Sequence, residues 1–205
     1  SSALIPIVSG LLATGEQARA WRVVSSVTTL MLSALLVRSV LFFLAAPAIV
    51  PLITSFEDAQ LEQTVELTRI MLLSPILLAL GAVATSVLNA RGRFAASAVA
   101  PIVYTLEIIA ASVFLAPTLV VEGLSLGVVV VSFGHLAIQL WPLLRTGFRY
   151  EPVIDLQDPP GRQAFVLLAP RAVGLGVSQV TFLVATTLAS AMATGSITAF
   201  NIAFT

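Results

Sequence analysis

The chain is a succession of apolar runs, each about as long as a bilayer is thick, and that repetition excludes most folds. A hydrocarbon core about 30 Å thick takes roughly 20 helical residues. Complete runs extend from Val23 to Ile53, Ile70 to Leu88, Phe94 to Pro117, Leu124 to Leu144 and Phe165 to Ala193, while Ser1 to Ala13 and Ser196 to Thr205 read as parts of two more. None alternates polar with apolar residues, and each far exceeds the roughly 10 residues of a membrane β-strand. Helices, by contrast, satisfy their own backbone groups in lipid. The predicted fold class is all-α, a polytopic membrane helical bundle.

Composition agrees. With 58% hydrophobic and 10% charged residues among 205, a water-soluble fold would leave large apolar patches facing solvent. Net charge is zero, so no basic surface points to nucleic acid, and no nucleic-acid partner is expected. Cysteine is absent and His135 is the single histidine, which removes disulfides, thiolate nucleophiles and histidine metal sites together. No cofactor, metal or catalytic residue is expected. The acidic residues Glu57, Asp58, Glu62 and Glu66 are spaced as a solvated helix start rather than as a metal site. The opening "SSALIPIVSG" has no basic region before an apolar core and so is not a signal peptide. Both ends are apolar, and the chain is expected to be a fragment of a longer one.

If the runs cross in alternation, the connections at 14–22, 89–93 and 145–164 share one side. They carry Arg19, Arg22, Arg91, Arg93, Arg145, Arg149 and Arg162, whereas the opposite connections carry Arg69 beside the acidic residues named above and Glu122. The positive-inside rule makes the first side cytoplasmic. Trp21, Trp141 and Tyr150 fall at the same boundary, where an amphipathic ring buries its body and keeps its polar atom wet. On this reading "NARGR" at 89–93 is a tight cytoplasmic turn. The longer connection "RTGFRYEPVIDLQDPPGRQA" holds Pro152, Pro159, Pro160 and Gly161, which break helix, and Phe148, Tyr150, Val153, Ile154 and Leu156, which offer apolar contacts. It is expected to lie along the membrane surface, and its length also suits a linker between two bundles.

The order of these signals resembles the MurJ (MviN) family of lipid II flippases, in the superfamily of multidrug, oligosaccharidyl-lipid and polysaccharide exporters. "SSALIPIVSGLLATGEQARAW" is similar to the family's second helix and first cytoplasmic loop, and "LAAPAIVPLI" to the outer end of its third. "LLSPILLALGAVATSVLNARGRFAASAVAPIVYTL" is similar to its fourth helix, turn and fifth helix. "GLGVSQVTFLVATTLASAMATGSITAFNIAF" resembles the seventh helix and the entry to the eighth. The resemblance implies a fourteen-helix protein with exporter-superfamily (MurJ/MATE-like) topology. Residues 1–150 would then be a partial N-terminal lobe, and 151–205 an inner-surface linker, the seventh helix and the start of the eighth. It also implies a lipid-linked oligosaccharide substrate among membrane lipids, and leaves oligomeric state open. The family's diphosphate-facing arginines sit mainly outside this stretch and are not carried over. Glu107 and Thr105 depart from the family pattern.

Within the runs, charged and polar residues are the candidates for the substrate path. Arg38 lies roughly 22 Å from either end of its run, near the midplane, where an arginine costs about 2.5–3.5 kcal/mol on insertion scales. Glu107 lies at a similar depth and is the candidate partner; a structural ion pair and a role in coupling or substrate passage both stay open. Arg171 can snorkel to headgroups or bind a diphosphate through its planar fork. Ser178 and Gln179 are helix-to-helix hydrogen bonders or cavity residues. His135 is expected to be a neutral imidazole bonded to a neighbouring helix. Gly174, Gly176, Pro75 and Gly81 permit either bending or close packing.

The function expected is a flippase moving lipid-linked peptidoglycan precursor (lipid II) across the bacterial cytoplasmic membrane by alternating access. The alternative is a related exporter of other polyprenyl-linked glycans or of drugs. A membrane-embedded transferase would need a reactive constellation that these residues do not offer, and a scaffold would have no need of Arg38 and Glu107.

Overall fold

The computed structural model describes residues 4–54, 56, 58–114, 116–155, 157–192 and 195–204, with side chains for all of these except 112, 116–122, 124, 168, 169, 171, 172, 175 and 204. Among the described residues there are eight helices and no strand: α1 Leu4–Ala13, α2 Gln17–Ile53, α3 Asp58–Met71, α4 Leu73–Ala90, α5 Phe94–Phe114, α6 Ala116–Leu144, α7 Pro159–Ser190 and α8 Ser196–Phe204. Four stretches are long and apolar enough to cross a membrane: Gln17–Ile53, Asp58–Ala90, Phe94–Ala111 and Ser125–Leu144. The last complete run, Phe165 to Ala193, overlaps α7, which is helical over 32 residues and ends at Ser190; Ala193 lies outside the described residues.

The helix bounds correct the sequence reading in three places. The connection expected at 54–69 is helical from Asp58 onward, because its charged residues extend the helix into water instead of breaking it; Glu57 lies outside the described residues. α3 and α4 are separated by the single residue Leu72, where Pro75 lacks the N–H that the Met71 carbonyl would have received. The loop expected at 117–123 is also helical, since α6 begins at Ala116. Finally, α7 begins at Pro159 rather than Phe165. Pro159 and Pro160 occupy its first turn, where a missing N–H costs nothing and a fixed φ favours the helix.

The "NARGR" segment is a tight turn, as its sequence predicts. Gly92 has φ +69°, and the N–H groups of Arg93 and Gly92 close on the carbonyls of Leu88 (2.8 Å) and Asn89 (3.0 Å). This is the Schellman arrangement, which requires a left-handed residue and so favours glycine.

α6 packs against α3, α4 and α5, while α4 also meets α1, α2 and α5. Among the described residues α2 and α5 make no contact, and α4 packs against both. A buried cluster lies at the arginine-rich end, formed by Leu4 and Val8 of α1, Val23, Val24 and Val27 of α2, and Val83 and Val87 of α4. Lipid is as apolar as these side chains, so close packing and hydrogen bonds, rather than escape from water, hold the membrane-embedded part together.

Candidate functional site

Two polar assemblies stand out. The first is at the arginine-rich end, where the connections 14–22, 89–93 and 145–158 meet, as the charge pattern predicts. The Arg91 guanidinium lies 4.9 Å over the Trp21 ring, and Phe148 meets the same ring edge-on at 5.4 Å. Trp21 is buried beneath these two side chains and does not act as a headgroup anchor. Trp141 and Tyr150 do remain exposed, with Arg145 stacked 4.5 Å over Trp141.

The connection from Phe148 to Asp158 is not free along a surface; it is tied down on α2. Tyr150 Oη and Thr29 Oγ1 share a hydrogen bond of 2.9 Å. The N–H of Glu151 donates to Ser25 Oγ (3.2 Å) and that of Asp155 to Ser26 Oγ (2.7 Å). Arg19 donates from Nε and NH2 to one oxygen of Asp158 at 2.9 and 2.7 Å, and pairs with Glu16 at 2.9 Å. Donation from Arg19, then from Thr14, holds the Glu16 carboxyl below its ordinary range. Leu156 lies outside the described residues.

The second assembly is a polar seam between α4, α5 and α6. Ser74 bonds Ser132, and Thr85 Oγ1 donates to Gln139 Oε1. Gln139 Nε2 is 3.1 Å from His135 Nε2, and His135 Nδ1 is 3.3 Å from the carbonyl oxygen of Ala100. The tautomer with its proton on Nδ1 satisfies both contacts, donating to Ala100 and accepting from Gln139. His135 therefore bonds a neighbouring helix, as expected from the sequence. Its ring leaves no room beside Gly81, where an added Cβ would come within 2.9 Å of Cδ2. Thr85, Ser132 and Gln139 were missed by sequence reasoning; the signal available was a helical spacing of small polar residues opposite Gly81 and Gly134.

The predicted site residues are not gathered in one place. Arg38 is exposed on α2 and makes no ion pair among the described residues, where the ion pairs belong to Arg19 with Glu16 and Asp158. Glu107 lies half-buried on α5, against Gly134 of α6, and its Oε2 is buried without a hydrogen-bond partner. The expected Arg38–Glu107 pair does not form, because α4 separates their helices. Ser178 and Gln179 are exposed on α7, with Ser178 Oγ bonded to Gly174 O at 3.3 Å. Arg171 belongs to α7, but its side chain lies outside the described residues.

These features define a multi-pass helical membrane protein with charged and hydrogen-bonding groups held inside its spans. A family model described as lipid II flippase MurJ matches residues 1–204, and the chain belongs to that family. Lipid II flippase MurJ of Burkholderia cenocepacia is 27% identical over 212 residues, covering 99% of this chain and 41% of that protein. The chain thus spans less than half the length of this curated relative.

Proposed function

We propose that the protein to which this chain belongs moves lipid II, the lipid-linked peptidoglycan precursor, outward across the cytoplasmic membrane by alternating access, acting as a transporter and not as an enzyme. The observation that carries this reading is the family match over residues 1–204. Residues 1–150 form part of an N-terminal lobe, the arginine-rich end faces the cytoplasm, and Arg38, Glu107, Arg171, Ser178 and Gln179 face the substrate path. Arg38 supports this assignment because its guanidinium is exposed and free of a carboxylate partner among the described residues, and its planar fork matches diphosphate oxygens.

The test is complementation. The full-length protein should restore growth to bacteria depleted of their own lipid II flippase. Failure despite verified membrane insertion would assign it another polyprenyl-linked glycan or a drug as cargo.

A further inference from the structure

The connection between α6 and α7 has the length of a flexible linker but the bonding of a fixed part. Trp21, Ser25 and Thr29 lie four residues apart on one face of α2, and this face, with Ser26 and Arg19, receives the chain from Phe148 to Asp158. Ser25 and Ser26 are fully buried. Their hydroxyls supply acceptors to the backbone N–H groups of Glu151 and Asp155, and lifting the segment would expose these two buried serines. Within the segment, Asp155 Oδ1 accepts from the N–H groups of Gln157 and Asp158, both at 3.1 Å, which closes a turn directly before α7. Gly161 locks that turn to the helix: an added Cβ there would stand 2.9 Å from the Asp155 carbonyl oxygen.

We propose that residues 148–158 are a strap that stays fastened to α2 throughout the transport cycle. The start of α7 then travels with the first bundle, and the boundary between moving parts lies beyond the first turn of α7. The transport cycle itself rests on the function proposed above; the fastening does not. The attachments draw on four kinds of contact, an aromatic edge, a bond between two hydroxyls, hydroxyl-to-backbone bonds and a two-pronged ion pair, so no single ligand-driven change releases all of them.

The experiment uses full-length protein made free of cysteine, carrying Ser26→Cys with Asp155→Cys and, as an independent pair, Ser25→Cys with Glu151→Cys, since in both a short side chain on α2 meets the strap's backbone directly. Oxidation in native membranes should join each pair nearly completely, with or without substrate. Lipid II transport should stay within about twofold of the reduced protein. Loss of transport on oxidation, restored by reduction, would overturn the proposal, and so would a low cross-linking yield from both pairs. If the reduced protein moves no lipid II, the transport reading falls while the cross-linking yield still decides whether the strap is fastened.

Discussion

Arg69 donates a hydrogen bond from Nε to the carbonyl oxygen of Phe43, 3.1 Å away, and its guanidinium also lies 4.8 Å over the Phe43 ring. That carbonyl is the one Pro47, four residues on inside α2, leaves without a helical donor. Orphaned backbone groups at membrane depth must find a partner in the protein, and the lone arginine of the acidic side supplies it. Arg69→Leu should therefore destabilise the protein by about 0.5–1.5 kcal/mol, the net range for a hydrogen bond that is not buried. Restoring a donor to α2 with Pro47→Ala should recover part of the loss. Thermal unfolding in detergent reads both, and an unchanged midpoint in Arg69→Leu would show the bond to be idle.

Glu107 and Gly134 fit each other by size. A Cβ on Gly134 would stand 2.3 Å from Glu107 Oε1 and 2.6 Å from Oε2, closer than real contacts allow. Gly134→Ala alone should lower stability by about 1 kcal/mol or less, the low end of overpacking, because the carboxylate is the end of a flexible side chain and can swing aside. Combined with Glu107→Ala it should cost much less, so the two changes will not add. Additive losses in a double-mutant cycle would show that the carboxylate sits elsewhere.

Gln139 is fully buried and joins α4 to α6 through Thr85 while holding His135. Hydrogen bonds between membrane helices contribute about 0.6 kcal/mol on average and up to about 1.7. Gln139→Leu should fall in or slightly above that range, because Thr85 and the ring of His135 both lose a partner. The accompanying sign is spectroscopic: the His135 imidazole resonances should shift in Gln139→Leu, and a spectrum identical to the parent's would refute the seam.

Acid should loosen the turn before α2. The folded state holds the Glu16 carboxyl below its ordinary value of 4.5 through Arg19 and Thr14, so its contribution is fully present above that value and is lost as pH falls through the lowered one. The group is exposed, and the effect will be small. A midpoint-against-pH curve should flatten slightly at its acid end in Glu16→Gln; an identical slope in parent and variant would remove Glu16 from the turn's stability.

The spans were legible in the sequence because hydropathy over some twenty residues averages away local detail, and the "NARGR" turn because glycine between arginines has few alternatives. The ends of elements were less so. Pro159 and Pro160 read as breakers, yet the same residues start α7, since proline's effect depends on whether it stands in the first turn or the interior. The Arg38–Glu107 pairing failed for a different reason. Depth in the membrane is one coordinate, and partnership also needs adjacency and azimuth; α4 lies between the two helices. The strap was hidden because its acceptors are serines of α2, which pattern alone reads as ordinary small residues.

The glycine at 134 also bears on descent. The carboxylate at 107 rests in the volume that a side chain at 134 would need, so a side chain gained at 134 turns the acid out of its seat against α6. Among relatives a glycine at 134 should accompany an acid at 107 more often than chance, and a lineage that gains a side chain at 134 while keeping the acid must find the carboxylate a new seat.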